Sequence, residues 1–288
     1  MKVAVIGARG YVGRHLCAKL EQQGTAVLRY SAGEANGISS ITGRLPEGFA
    51  FPSKLDAVCF LAQSPHYRQM PEHSPPLLSV NCVAAVQATE AARRAGVKRF
   101  VYASTGNVYA PSFNALSEGA PVRRDNWYSL SKVMAEDALA LYQQYLDVSF
   151  ARIFGVYGPE QEGKLVPTII HKVRDELEVF VDRNPNDHSD VDGLRVSLIY
   201  IDDLIDALVG MLDKPHNGPV NLAGDEAVSI RWLTEEAARL LGKSPRISVG
   251  ERYREFDLVA DTTVYHQLFG LPKISFRAGM ERILGCLG

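Results

Sequence analysis

Lys2-Val3-Ala4-Val5-Ile6-Gly7-Ala8-Arg9-Gly10-Tyr11-Val12-Gly13 decides the fold, because a short apolar run passes directly into a glycine-rich turn and the turn into a helical pattern. Lys2 to Ile6 reads as a strand covered on both faces. Tyr11 to Gln23 carries apolar residues at helical spacing, and Gly24 stands just past it as a stop. Glycines at 7, 10 and 13 permit positive φ and close backbone approach, and the unpaired N–H groups and dipole of the helix start attract negative charge. That order of strand, turn and helix is the placement a dinucleotide pyrophosphate requires. Gly7, Arg9, Gly10, Tyr11, Val12 and Gly13 are its expected contacts. The plain alternative is a tight connection with no ligand.

Working outward, further short apolar runs recur at Ala26 to Tyr30, Ala57 to Leu61, Arg99 to Ala103 and Val148 to Ile153, separated by helical patterns at Ser79 to Ala95 and Asn126 to Tyr145. This alternation predicts an α/β fold, a Rossmann-type doubly wound parallel sheet. After Ile153 the rhythm breaks at Gly158-Pro159, Asp182 to Asp192 and Lys214 to Pro219. A smaller, discontinuous C-terminal substrate-binding domain is expected there. Val196 to Ile199 and the Ile201 to Leu212 helix, with Asp202 and Asp203 near its start, are expected to rejoin the sheet. The expected division is 1–158 plus about 196–223 for the dinucleotide domain, and about 159–195 plus 224–288 for the other.

The second strand ends Leu28-Arg29-Tyr30-Ser31, without the carboxylate that commonly holds an adenosine ribose. Arg9 and Arg29 suit a 2′-phosphate, whose geometry guanidinium matches. NADP is therefore the expected cofactor, with Ser31 a further contact. In the alternative, NAD binds, Glu34 reaches the ribose and Arg9 is a solvated loop residue.

Bulk properties narrow the remaining classes. The 288 residues are 46% hydrophobic, enough for a large core. Cys17, Cys59, Cys82 and Cys286 form no C-x-x-C pair and the seven histidines are dispersed, so no metal site is expected. A net charge of -2 from 31 basic and 33 acidic residues offers no footprint for nucleic acid or an anionic membrane. No stretch reads as a signal peptide or a membrane span, and a cytoplasmic location is expected.

Asn126-Trp127-Tyr128-Ser129-Leu130-Ser131-Lys132 opens a helix and sets Tyr128 and Lys132 one turn apart on one face. A lysine ammonium near a phenol favours phenolate, drawing the tyrosine pKa of ~10 toward a range useful for proton transfer. The pair alone also occurs as surface decoration. Thr105, at the C-terminal end of the Arg99 strand, lies where open α/β sheets bind ligands. There it can bond a reacting oxygen alongside Tyr128, or merely cap a turn.

The chain resembles the extended short-chain dehydrogenase/reductase family, of the nucleotide-sugar epimerase and dehydratase type, along essentially its whole length. The resemblance rests on the three glycines above, Phe60-Leu61-Ala62, Asn81-Cys82-Val83, Ala95-Gly96-Val97-Lys98-Arg99-Phe100-Val101-Tyr102-Ala103-Ser104, Tyr128-x-x-x-Lys132, Val156-Tyr157-Gly158-Pro159 and Tyr200-Ile201-Asp202-Asp203. It implies that Tyr128 is the acid/base, that Lys132 also holds the nicotinamide ribose, that Thr105 polarises a substrate hydroxyl or ketone, and that Leu61 and Ala62 line the cofactor. It also implies a diphosphate-binding role for Arg195. The chain departs from the pattern at two further places. Gly106-Asn107 replaces the Asp-Glu of sugar dehydratases, which removes the acid and base for eliminating water and leaves Asn107 as a substrate contact. Gly155 replaces an asparagine of sugar epimerases that touches the diphosphate.

The expected function is thus an NAD(P)-dependent epimerase or reductase of a nucleotide sugar or related polyhydroxylated substrate, acting by hydride transfer. The alternatives are an NADPH-dependent reductase of a non-sugar ketone and a non-catalytic NAD(P)-sensing regulator, which has no physical need for Thr105, Tyr128 and Lys132 together. A homodimer through the helices following Ser79 and Asn126 is the expected assembly.

Overall fold

The computed structural model describes residues 1–34 and 36–285. Cys286, one of the four scattered thiols, lies outside the described residues. The chain runs β1 (Lys2–Ile6), α1 (Tyr11–Gln22), β2 (Ala26–Tyr30), β3 (Ala57–Phe60), α2 (Ser74–Leu78), α3 (Ala84–Arg94), β4 (Arg99–Thr105), α4 (Trp127–Ala140) and β5 (Asp147–Ile153). It continues through β6 (Gly155–Tyr157), α5 (Leu165–Arg174), β7 (Val179–Arg183), β8 (Arg195–Tyr200), α6 (Ile201–Asp213) and β9 (Gly218–Leu222). The last elements are β10 (Ala227–Ser229), α7 (Ile230–Leu241), β11 (Ile247–Tyr253), α8 (Thr263–Phe269) and α9 (Phe276–Gly285). Two compact units result, one of residues 1–109, 121–152 and 205–220, the other of 110–120, 153–204 and 221–288.

The first unit holds a six-stranded sheet in the order β2-β1-β3-β4-β5-β9. β1 pairs in parallel with both β2 and β3, and β3 with β4, through registers such as Val5↔Arg29, Val5↔Cys59 and Cys59↔Val101. Strands covered by helices on both faces need apolar side chains on both, and Val3 to Ile6 and Ala57 to Phe60 are all at most 1% exposed. One face packs Ile6, Phe60, Phe100 and Tyr102 against Ala84, Ala88, Ala135 and Leu139 of the covering helices. From β1 the chain goes outward to β2, then crosses back to β3 on the other side. This reversal opens a crevice beyond the carboxyl ends of β1 and β3, where open α/β sheets bind ligands.

The helix expected from Ser79 to Ala95 is interrupted. Residues Ser79–Val83 form a π-helical turn between α2 and α3. Apolar spacing cannot report such a turn, which is set by what Asn81 bonds.

The second unit carries a three-stranded sheet, β10-β8-β6, and the parallel pair β11-β7. Arg254, buried there, donates to Asp190 at 2.6 Å and Asp257 at 2.8 Å. Asp257 in turn accepts the Arg195 amide at 2.9 Å, which fixes the start of β8. The expectation that Val196 to Ile199 rejoins the parallel sheet is corrected here. β8 pairs with β6 in parallel and with β10 antiparallel, and β9 closes the six-stranded sheet instead. Satisfying Leu194 and Arg195 backbone groups with Ile230 and Leu258 commits that strand to the second unit. Gly155 and Gly224 let its neighbours approach closely, for a Cβ on Gly155 would overlap the Leu198 side chain and one on Gly224 the Leu198 carbonyl.

Candidate functional site

The glycine loop leaves β1 with Gly7 at φ +93°, where a Cβ would stand 2.8 Å from the Ala62 nitrogen and 2.9 Å from the Leu61 carbonyl carbon. Both the torsion and the approach to the end of β3 demand glycine. Gly13 is demanded by packing alone, since its Cβ would overlap the Gly7 carbonyl oxygen. Gly10 differs. It has ordinary torsions, φ -66° and ψ 166°, and a Cβ would meet only Gly7 O at 3.3 Å. The protein itself asks little of Gly10, so its missing side chain is most useful as open space above the α1 N-terminus. That N-terminus has no side-chain cap and no acidic residue in its first turn, as an anion site requires. The loop therefore fits a dinucleotide pyrophosphate. Tyr11 and Val12 open α1, and the Tyr11 ring packs on His15 at 4.9 Å and under Arg14 at 5.4 Å.

At the end of β2 the arginine pair expected for a 2′-phosphate is not assembled. Side chains alternate along a strand, and while Leu28 and Tyr30 face the core cluster, Arg29 points to the other face and donates twice to Glu21 of α1, at 2.8 Å each. Arg9 bonds Glu34 at 2.7 Å. The second Glu34 oxygen accepts the Ser31 amide at 3.1 Å. A carboxylate thus stands beside the end of β2, brought back by a three-residue turn, in the arrangement the alternative reading gave to Glu34.

Helix α4 begins at Asn126, whose side chain accepts the Ser129 amide at 2.9 Å, and this cap sets the rotation of Tyr128 and Lys132. The Tyr128 hydroxyl donates to Gln63 Oε1 at 3.1 Å, its ring lies 5.3 Å from that of Tyr67, and the Thr105 side chain lies near enough to favour its phenolate. Thr105 Oγ1 also accepts from the backbone and side-chain nitrogens of Asn107, both at 3.2 Å. Asn107 O accepts Ser129 Oγ at 2.6 Å, tying the turn after β4 to α4. Thr105, Asn107 and Tyr128 therefore meet.

Lys132 is oriented otherwise than expected. Its Nζ donates to Ala103 O at 2.8 Å and sits 4.8 Å from the centre of the Tyr102 ring. Burial pushes the Tyr128 hydroxyl up to about 12, against the Thr105 side chain, which favours phenolate. Burial likewise draws Lys132 down to about 7, with Glu136 opposing. The expectation that Lys132 lowers the phenol is corrected: desolvation dominates, and the ammonium faces a carbonyl and a ring rather than the hydroxyl.

Two groups at the site hold roles that the sequence did not assign, although Asn81 stands in one of the motifs behind the resemblance. Gln63, two residues beyond Leu61, reaches the Tyr128 hydroxyl, and only its place after a strand end hinted at this. Asn81, completely buried, is the other. Its Nδ2 donates to Ser131 Oγ at 3.0 Å, its Oδ1 accepts the Ser64 amide at 3.2 Å, and its carbonyl accepts the Tyr102 hydroxyl at 2.7 Å. One side chain so joins the segment after β3, the π-helical turn and α4. Arg195, in the second unit, is half-exposed and lies 3.6 Å from both Asp190 and Asp192. Among the described residues no group of three metal-binding side chains occurs, and no helix is long and apolar enough to cross a membrane.

A profile of the NAD dependent epimerase/dehydratase family matches residues 3–223. An uncharacterized UDP-glucose epimerase of Bacillus subtilis is 25% identical, with 88% of this chain and 86% of the relative covered. A Thermus thermophilus UDP-glucose 4-epimerase solved with NAD is similar with a TM-score of 0.76 at 24% identity, over 99% and 98% of the two chains. A Pseudomonas aeruginosa protein, RMD, solved with NADPH, reaches a TM-score of 0.80 at 22% identity, over 99% and 97%.

Proposed function

The chain is an enzyme of the NAD dependent epimerase/dehydratase family, and from that premise we propose that it uses NAD to interconvert a hydroxyl and a ketone on a nucleotide-linked sugar. The observation that carries the reading is the meeting of Thr105, Asn107 and Tyr128 at the carboxyl end of β4, in the same unit as a glycine loop built for a pyrophosphate. The relative named for UDP-glucose epimerisation supports the substrate class.

A bound dinucleotide would be held by the Gly7 to Gly13 loop and Lys132, and its nicotinamide would supply reversible hydride exchange at the carbinol carbon. Tyr128 handles the proton at the substrate oxygen. With its hydroxyl held up to about 12, it is a proton donor near neutral pH: it hands its proton to a ketone oxygen during reduction, the resulting phenolate takes the hydroxyl proton during oxidation, and Thr105 is the second hydrogen-bond partner of the substrate oxygen. Lys132 has three N–H donors, of which one direction is taken by Ala103 O and one by the Tyr102 face. The third is available to a cofactor ribose. Gly106 and Asn107 supply no acid or base, so loss of water is not proposed.

NAD rather than NADP follows from Glu34, whose carboxylate at the end of β2 would repel a 2′-phosphate and accept from a ribose hydroxyl. Glu34→Gln should improve NADP affinity at least about tenfold, the size of one charge-assisted contact, and equal affinities in both proteins would remove the assignment. A second reading, reduction of a ketone that carries no nucleotide, is favoured by Leu198 filling the place where sugar epimerases keep an asparagine.

The deciding experiment releases bound nucleotide by gentle denaturation, identifies it by mass spectrometry, and follows UDP- and dTDP-sugars by proton NMR with the reloaded protein. Retained NAD with exchange at a sugar carbinol supports the proposal. Turnover of simple ketones alone, with NADPH, supports the second reading.

A further inference from the structure

Lys132 and Glu136 stand one turn apart on the same face of α4, and both are buried, at 2% and 6% exposure. Two ionisable groups on a helix face are commonplace; two that are withdrawn from water are costly unless each has a partner. Among the described residues, the direct contacts of the Lys132 ammonium are the Ala103 carbonyl at 2.8 Å and the Tyr102 ring at 4.8 Å. Neither is an anion.

Glu136 is held by two neighbours, Ser104 and Arg152. Ser104 Oγ donates to Oε1, and Arg152 of β5 approaches Oε2 at 2.6 Å through Nη2, with Nε 3.2 and 3.3 Å from the two oxygens. Arg152 also donates to the Tyr109 hydroxyl at 3.0 Å and stacks 4.9 Å from that ring. A buried carboxylate and guanidinium seldom add net stability by themselves, so the pair is not explained as a fold device alone. Its position beneath Lys132 supplies a reason. The charged or titratable groups around Lys132 are Glu136 from its own helix and Tyr102 from β4, with Tyr128 and Cys82 of the π-helical turn beside Tyr102. Among these Glu136 is the carboxylate.

We propose that Glu136, clamped by Arg152 and Ser104, is a positioning residue that keeps the buried Lys132 ammonium charged and aimed along α4, so that a cation is available beneath the cofactor ribose at neutral pH. This rests on the reading of Lys132 as the ribose ligand. Arg152 sets the strength of the effect, because it competes with Lys132 for the same carboxylate. Burial, which acts to discharge Lys132, is opposed by Glu136, in keeping with the geometry.

The test reads Lys132 directly, by NMR titration of protein carrying 13Cε-lysine, with the Lys132 signal assigned from its loss in Lys132→Met. Glu136→Gln should lower the Lys132 midpoint by about one pH unit or more, the effect of removing one nearby opposite charge. Arg152→Gln, which leaves the carboxylate and removes its competitor, should raise it. Glu136→Asp should restore the parent midpoint. A merely structural role predicts the same midpoint in all folded variants, and an unchanged midpoint in Arg152→Gln overturns the proposal even if Glu136→Gln does not fold. NAD titrations of the same samples should show Glu136→Gln losing about tenfold in affinity relative to the parent near pH 9 and little near pH 6, since a midpoint one unit lower leaves about a tenth of the parent's charged fraction above both midpoints and nearly all of it below them. Failure of the parent protein to bind NAD at any pH would remove the functional reading, while the midpoints would still decide the role of Glu136.

Discussion

At Tyr128 the proposed chemistry turns on one hydroxyl, bonded to Gln63 and neighboured by Thr105. Tyr128→Phe should lower turnover by ~10²–10⁴, the usual worth of a positioned acid or base, while NAD affinity measured by fluorescence titration stays as it was. Activity within about tenfold of the parent would assign the proton to another group. Lys132 has a thermodynamic signature of its own. Its folded-state pKa, about 7, lies below the ordinary value of 10.5, so the unfolded chain binds that proton more tightly. Stability therefore rises with pH between those two values, and below the lower one the charged lysine is a standing cost. Lys132→Met should be the more stable protein near pH 6, by up to several kcal/mol, with the gain gone near pH 11; urea midpoints across that range measure it. The glycines separate in the same way. Gly7→Ala meets the Ala62 backbone at a positive φ and should unfold the loop, whereas Gly10→Ala should keep the melting temperature and weaken the cofactor. The sequence announced these residues because glycine torsions and tyrosine-lysine spacing are local. It offered Glu34 only as the alternative ribose contact and did not announce Gln63, because both roles depend on where a turn and a strand end deliver a side chain.

The elements divide along the same line between local and distant causes. β1 and β2 begin and end where their apolar runs do, and β4 runs two residues past the expected Ala103, carrying Thr105 to the sheet edge. α4 yields to a 3₁₀ turn at Leu141, short of the expected Tyr145. What apolar periodicity could not convey was the π-helical turn, because the cause is Asn81 bonding Ser131 fifty residues on and Ser64 seventeen back. Nor could it convey that β8 leaves the parallel sheet, since a strand's partners are chosen by backbone groups far along the chain. Asn81→Ala leaves a buried amide and hydroxyl without their partner and should cost ~1–3 kcal/mol, read as a fall in melting temperature together with slower turnover. Asn126→Ala removes only the α4 cap and should cost about 1 kcal/mol, with turnover falling less than in the Asn81 variant.

For the molecule as a whole, binding and folding are one equilibrium. NAD held at about a hundred times its Kd should add roughly 2.7 kcal/mol to unfolding, visible as a ligand-dependent melting temperature, and NADP at the same concentration should add less if Glu34 selects between them. The absence of any shift with either nucleotide would contradict a dinucleotide role for the glycine loop. The second unit carries a different kind of constraint. Leu198 occupies the volume a side chain at position 155 would need, so an asparagine cannot be restored there by one mutation without a steric penalty, and shortening Leu198 first would open a cavity costing ~2–5 kcal/mol. Each step of that exchange is unfavourable when taken alone. A lineage holding Gly155 with Leu198 is thus separated from one holding asparagine by an adaptive valley, and directed evolution toward the other arrangement must begin from paired codons.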